Sequence, residues 1–289
     1  MAMEYLSSLT GIPWLPLALG GGAVVLLAGV YLMRRSRSSQ FKLSEKHKEK
    51  GVVFLFQFPP IPSSPNASPF CLKLETFLRM NEINYKTVST RRTGPKGKSP
   101  FIAYNGQVIS DSDFVVDFLI KELQLKCDSG LDESQKAVGH VTCQMLEENT
   151  YWAIVHYRWV QNVRQLPDLF VNSPGTVMRL FLRYMIAPKV EKSCYAQGMG
   201  RHSVAEINQI AERDFRSLST ILGDKPYLLG ETATSHDATV FGTTATVLYS
   251  GEGSAAHTLL TTELLNVRDY TQRIRDRWFP DWDDRCLKD

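Results

Sequence analysis

The sequence predicts an α/β domain followed by an all-helical one, both behind an N-terminal apolar segment long enough to cross a membrane. Three observations predict it. The run 12–33 is apolar throughout, with no charged residue from Tyr5 to Met33. Between residues 52 and 123, short β-rich runs alternate with helical ones. Beyond residue 127 the strand pattern stops and apolar residues recur at helical spacing.

As a helix, 12–33 would be roughly 33 Å long at ~1.5 Å per residue, matching a hydrocarbon core of about 30 Å. Glu4 is the only charge before it, whereas Arg34, Arg35 and Arg37 follow at once. A cleaved signal peptide carries its positive charge on the other side. The segment therefore reads as an uncleaved, single-pass membrane anchor behind a tail of residues 1–11, with the C-terminal side in the cytosol. Residues 34–50 are polar and basic without apolar periodicity. They form a linker that is either solvated or laid against anionic headgroups. The net charge of +3 is too small to argue for nucleic acid. The five cysteines, at 71, 127, 143, 194 and 286, are scattered, with no CxxC pair and no zinc-ligand spacing. A reduced compartment and no metal centre are expected.

The first domain spans 51–126. Its opening run, 52–58, has the continuous apolar character of a buried central strand. Pro59, Pro60, Pro62 and Pro65 stop it and stiffen the loop that follows. A helix then opens at Ser68-Pro69, with serine at the N-cap, proline at the first helical position, and Leu74, Phe77 and Leu78 as its apolar face. Strands follow at 83–88, 101–106 and 107–110. Asn105-Gly106 is a hairpin-turn pair that makes the last two antiparallel neighbours. A helix with an acidic, capped start begins after Ser110. This order of elements is that of a thioredoxin-like sheet. The second domain, 127–289, opens on one long helix whose buried stripe is Val138, Val141, Met145, Trp152, Val155 and Trp159. Ser203 with Glu206 and Thr234 with Asp237 have capping-box spacing and start two more helices, and 265–279 closes the bundle.

A thioredoxin-like half followed by an all-helical half resembles the glutathione transferases. The landmarks are the Ser-Pro-Phe-Cys helix start at 68–71, the segment 97–112, the segment 227–242, and their order. Within that superfamily the phrases "SPFCLKLETFLRM", "MLEENTYWAIVHYRWV" and "HDATVFG" resemble the failed axon connections and metaxin-like branch. The resemblance covers residues 50–282. It implies a cytosol-facing, GST-like domain, a proposed role in axon development for animal members, and no agreed reaction. Metaxin relatives imply the mitochondrial outer membrane as an alternative setting. A second copy of the chain or a protein partner is implied by the same scaffold.

The resemblance also implies where glutathione would sit. Ser68 would face the thiol, where helix-terminal N–H groups favour a thiolate. The backbone at Ser99-Pro100 would meet the cysteinyl part, through a cis proline. Asp111 with Ser112 would take the γ-glutamyl end. Tyr151, Trp152 and His156 would line the pocket for an electrophile. Each has a plainer role: Ser68, Asp111 and Ser112 as helix caps, Pro100 as a loop former, the aromatic residues as core. Cys71 is a weaker catalytic candidate. In a dithiol site it would be the resolving cysteine, but Ser68 stands where the attacking thiolate is needed, and a hydroxyl does not substitute for it. The segment 89–97 is too short for the second helix that walls the pocket in ordinary transferases, and its Arg91, Arg92, Lys96 and Lys98 read as a basic, solvated loop. Three readings of function follow: a membrane-bound binding or adaptor module, a glutathione transferase acting on small electrophiles, and a metaxin-like component of the mitochondrial outer membrane.

Overall fold

The computed structural model describes residues 43–288. The predicted tail, the anchor at 12–33 and most of the linker lie outside the described residues. Among the described residues no helix is long and apolar enough to cross a membrane.

Four strands make the sheet: β1 (Val53–Gln57), β2 (Tyr85–Ser89), β3 (Phe101–Tyr104) and β4 (Gln107–Ser110). Their order is β2-β1-β3-β4, with β2 parallel to β1 and the other pairs antiparallel. All five residues of β1 are buried, as a central strand requires. Asn105 and Gly106 both take positive φ (48° and 82°), so the β3–β4 turn forms as its residues predict. Helix α1 (Pro69–Met80) follows β1, and α2 (Ser112–Glu122) follows β4 with Asp111 as its N-cap. Residues 90–100 carry no helix, in keeping with the short segment between β2 and β3. The end of the predicted linker needs correcting. Residues 43–50 belong to the domain: the His47 ring packs 5.2 Å from that of Phe54 and 5.0 Å from that of Phe56. The Gly51 N–H donates to Asn105 Oδ1. An apolar sheet face needs cover, and this stretch supplies part of it.

The helical half holds α3 (Glu133–Gln144), α4 (Tyr151–His156), α5 (Leu166–Phe170), α6 (Thr176–Phe181), α7 (Ala187–Gln197), α8 (Val204–Leu222), α9 (Ser235–Ser250), α10 (Ala255–Thr262), α11 (Leu265–Trp278) and α12 (Trp282–Arg285). Both predicted capping boxes form, Ser203 with Glu206 and Thr234 with Asp237. The predicted single long helix is interrupted. Wider π-type turns at Met145–Thr150 and Tyr157–Gln161 flank α4. Each such turn advances the phase of the apolar stripe, because it holds more residues than an α-turn. Val141, predicted in the buried stripe, is exposed for a different reason: it lies in α3, ahead of the first wider turn, where Gly139, Thr142 and Cys143 take the buried face.

Helix α1 joins the two halves. Leu74, Phe77 and Leu78 pack on the sheet side with Leu55, Ile102 and Val115. Leu72 packs into the helical core with Leu146, Phe241 and Phe215. On that second side α9 comes so close that a Cβ on Gly242 would lie 2.4 Å from the Pro69 carbonyl oxygen and 3.0 Å from the Lys73 nitrogen. Only glycine allows this backbone approach. Gly242→Ala should therefore cost about 1–3 kcal/mol, as overpacking does. Gly130→Ala, where nothing lies within 4 Å, should stay within about 0.5 kcal/mol. Urea unfolding of the two variants checks this, and equal stabilities would show that α9 can move away from α1 at little cost.

Candidate functional site

Strand register brings the predicted residues to one end of the sheet. Phe56 near the C-terminal end of β1 pairs with Phe101, and Phe101 pairs with Ser110. Pro100 and Asp111 therefore flank the end from which the chain leaves β1 for the loop to Ser68. The Phe56 and Phe101 rings stack there with centroids 4.6 Å apart. The Ser99–Pro100 peptide is cis, as the resemblance implied.

Ser68 stands at the N-cap of α1, and its carbonyl accepts from the N–H groups of Cys71 and Leu72, both at 3.1 Å. Its hydroxyl makes no capping bond. The plain capping role for the side chain is thus not what the structure displays. Asp111 has φ 85° and ψ 127°, a backbone shape that non-glycine residues rarely adopt. It caps α2 through Oδ1, which accepts from the Asp113 N–H at 3.2 Å. Ser112 is buried beside it. The Oγ atoms of Ser99 and Ser110 are buried without a hydrogen-bond partner among the described residues. Such groups call for an explanation, because leaving them unpaired costs stability.

Cys71 is the residue the structure corrects. It is fully buried, and burial pushes its thiol up to about 12, only partly offset by hydrogen bonds to the Phe58 backbone and the Ser68 side chain. At neutral pH it stays protonated and enclosed, so it serves as core rather than as a nucleophile.

Of the three predicted pocket residues in the helical half, the structure brings one to the α1 start. The Tyr151 ring meets that of Phe70 at 4.9 Å between centroids. Burial pushes its phenol upward, opposed by Arg158. Trp152 packs instead on the cluster of Met199, Ile207 and Ala211. His156 is buried with Nδ1 3.0 Å from Gln161 Nε2, and burial holds its imidazole below the usual value.

Arg158 belongs to this corner and was not legible beforehand. Its Nη1 donates to the Ala67 carbonyl at 2.7 Å and its Nη2 to Ser250 Oγ at 3.0 Å. No carboxylate pairs with it among the described residues. Burial pulls the guanidinium down to about 10, with Tyr151 opposing. It remains cationic at neutral pH, one residue from Ser68. Its only sequence signal is a lone arginine within an aromatic run, "HYRWV".

A second polar feature lies between the halves. Lys73 of α1 is buried, and its ammonium donates to Asp113 Oδ1 at 2.5 Å and to Glu147 Oε1 at 2.7 Å. Glu147 sits on the π-type turn of the helical half, so this cluster ties the halves together. A cavity of about 240 Å³ opens beside it, lined by Lys73, Asp113, His140 and His236.

Residues 69–164 match the glutathione S-transferase N-terminal domain, and residues 211–274 match the glutathione S-transferase, C-terminal domain. Failed axon connections of Drosophila melanogaster is 30% identical over 266 residues, which cover 87% of this chain and 64% of that protein. The chain thus spans just under two thirds of the fly protein's length. Metaxin-2 of Mus musculus is 26% identical over 84% of this chain and 94% of its own. This chain belongs to the metaxin-like branch of the glutathione S-transferase superfamily. Within the superfamily, the isoprene-epoxide–glutathione S-transferase of Rhodococcus sp. (strain AD45) is 26% identical over 78% of this chain and 99% of its own. Among solved structures, the beta-etherase LigF from Sphingobium sp. strain SYK-6 shares the fold, with a TM-score of 0.56 at 14% identity over 79% of this chain and 99% of that one.

In this member of the branch, Glu147 makes a pH prediction. Its carboxyl is raised to about 7 by burial first and by the nearby Asp113, against the pull of Lys73. One ammonium serves two carboxylates, and the buried one bears the cost. A carboxyl held above its ordinary value binds its proton more tightly folded than unfolded, so ionising it lowers stability. That contribution is full below the unfolded value of 4.5 and is lost as pH rises to about 7. The difference in stability between the native chain and Glu147→Gln should therefore drift by up to about 3 kcal/mol over that window, in the variant's favour at the higher pH. Urea unfolding across the pH series measures it, and a constant difference would show that Glu147 ionises normally.

Proposed function

We propose that this protein is a membrane-anchored, cytosol-facing GST-like module that binds glutathione at the start of α1. The Ser68 hydroxyl, which at its N-cap makes no bond to the helix's own N–H groups, carries the reading. Serine at that position ordinarily accepts a bond from the helix's own N–H groups. Here its hydroxyl meets the Cys71 thiol instead, and a ligand sulfur would be its alternative acceptor. The helix terminus favours a thiolate over a thiol there, by up to about 2 kcal/mol in a partly buried setting, and the Arg158 cation acts in the same sense. The backbone before Pro100 would meet the cysteinyl part, and Asp111 with Ser112 the γ-glutamyl end. The unpaired hydroxyls nearby and the turned backbone of Asp111 support a ligand at this end of the sheet. A thiolate held this way, its proton already lost to solvent, is fit to attack a strained electrophile such as an epoxide, where the C–S bond forms as a C–O bond breaks and the resulting alkoxide takes a proton from water. The name of the Rhodococcus relative speaks for that chemistry in a relative.

One observation favours the adaptor reading, in which the same domain recognises a protein partner. Residues 90–100 carry no helix, and the neighbouring edge strand β2 is largely exposed. One side of the pocket is thereby left open.

Thermal unfolding with and without glutathione separates the two. Ligand at a hundredfold over its dissociation constant stabilises a fold by ~2.7 kcal/mol, which for a domain of this size is roughly 5–10 °C. Ser68→Ala and Asp111→Ala should each abolish the shift. Because the Ser68 hydroxyl makes no capping bond and only meets the Cys71 thiol, Ser68→Ala alone should cost no more than about 1 kcal/mol of unliganded stability. No shift at millimolar glutathione leaves the adaptor.

A further inference from the structure

The helices α6 and α7, joined through the π-type turn Leu182–Ile186, carry an apolar stripe that faces outward. Val177, Leu180, Phe181, Tyr184 and Met185 are each 52–82% exposed. Their spacing is i, i+3, i+4, i+7, i+8, one face of a helix. Leu182, Ala187 and Cys194, in the turn and in α7, are buried, whereas α6 itself buries no residue. Exposed apolar side chains at this spacing add nothing to the packing of the described residues, and a patch of this kind marks a contact surface.

The charges around it select the partner. Between residues 176 and 192 stand Arg179, Arg183, Lys189 and Lys192 against a single acid, Glu191. Arg179 is held by Asp168 through both guanidinium nitrogens. Arg183, Lys189 and Lys192 have no carboxylate partner among the described residues. The Arg183 guanidinium lies 5.3 Å from the centre of the Tyr184 ring, at the edge of the stripe. An isologous contact with a second copy would set this basic patch against itself. Exposed Leu, Phe and Tyr bordered by Arg and Lys fit the boundary between acyl chains and anionic headgroups.

From this we infer that the α6–α7 stripe lies on the surface of an anionic bilayer, with its apolar side chains at the headgroup–acyl boundary and Arg183, Lys189 and Lys192 among the headgroups. The inference deepens the proposed anchoring and rests partly on it. Residues 34–42 span at most about 32 Å when extended. A contact too weak to hold a free domain becomes intramolecular on such a tether, at an effective concentration in the millimolar range.

The test uses the full chain reconstituted in vesicles of phosphatidylcholine with or without phosphatidylserine, read by hydrogen exchange. Amides of 176–190 should exchange more slowly by up to about a hundredfold when phosphatidylserine is present, since each of the three basic side chains at an anionic surface is worth roughly fivefold in binding. Amides of α8 should not change. The double variant Phe181→Asp with Arg183→Glu should remove the difference and leave the thermal midpoint of the domain unchanged, because both side chains are exposed. Equal protection in the two lipids would overturn the inference, whether the stripe were then bare, covered by residues 12–33, or covered by protein. Protection that rises with chains per vesicle rather than with phosphatidylserine would assign the stripe to a second copy, and also overturn it. Carbonate extraction of the same vesicles reads the anchor separately. A chain stripped by carbonate that still shows phosphatidylserine-dependent protection keeps the surface contact and loses the anchor.

Discussion

Lys73 and Glu75 are charged side chains on a helix that has almost no water to share. Helix α1 is covered by the sheet on one side and by α9 on the other, and both residues are buried. A charge there is tolerable only with partners, and the partners decide much of the remaining architecture. Lys73 draws Asp113 from α2 and Glu147 from the helical half. Glu75 accepts from Gln57 of β1 at 2.8 Å and from Tyr85 of β2 at 2.9 Å, and it faces Arg79 and Arg285. Arg79 in turn grips Asp281 through two nitrogens, at 2.6 and 2.8 Å, and lies over the Phe279 ring. Through these pairs one helix gathers the sheet, the helical half and the chain's C-terminal segment.

The same arrangement explains where a ligand would be served. A helix held from so many directions presents its first turn rigidly, and positioning by the scaffold is what a binding site at a helix start needs. Arg158 reaches across from the helical half to the Ala67 carbonyl. It fixes the residue before Ser68 and adds positive charge there. Tyr151 closes over Phe70 from the same side. The thioredoxin-like half supplies the backbone and hydroxyl groups, and the helical half supplies the cation and the aromatic wall. The α6–α7 stripe stands outside this logic: nothing in α1's network touches it, and its exposed apolar face answers to something beyond the domain.

Features set by local chemistry were legible in the residues alone. The start of α1 at Ser68-Pro69, the hairpin at Asn105-Gly106, the buried central strand and both capping boxes depend on neighbours within a few positions, and each formed where it was read. The family phrases were legible too, since they are runs of consecutive residues. What was not legible depends on partners far apart in the chain. The lysine within "CLKLETF" gives no sign that Glu147, 74 positions away, will share its burial, and Arg158 gives none that it will cap a carbonyl at Ala67. The π-type turns around α4 were hidden for a related reason: packing against the rest of the bundle, rather than local preference, decides where a helix widens.

The sequence by itself thus determined the order of the elements, their caps and turns, the family, and an apolar segment of membrane-spanning length at 12–33, because these are properties of residue types and spacing. Only the tertiary structure decided that Cys71 is inert core, that the Ser68 hydroxyl meets that thiol rather than the N–H groups of its own helix, that Arg158 stands beside it, and that an apolar stripe faces outward on α6–α7. Burial, hydrogen-bond partnership and the pKa shifts that follow from them are relations between distant parts of the chain, and they come into being only when the chain folds.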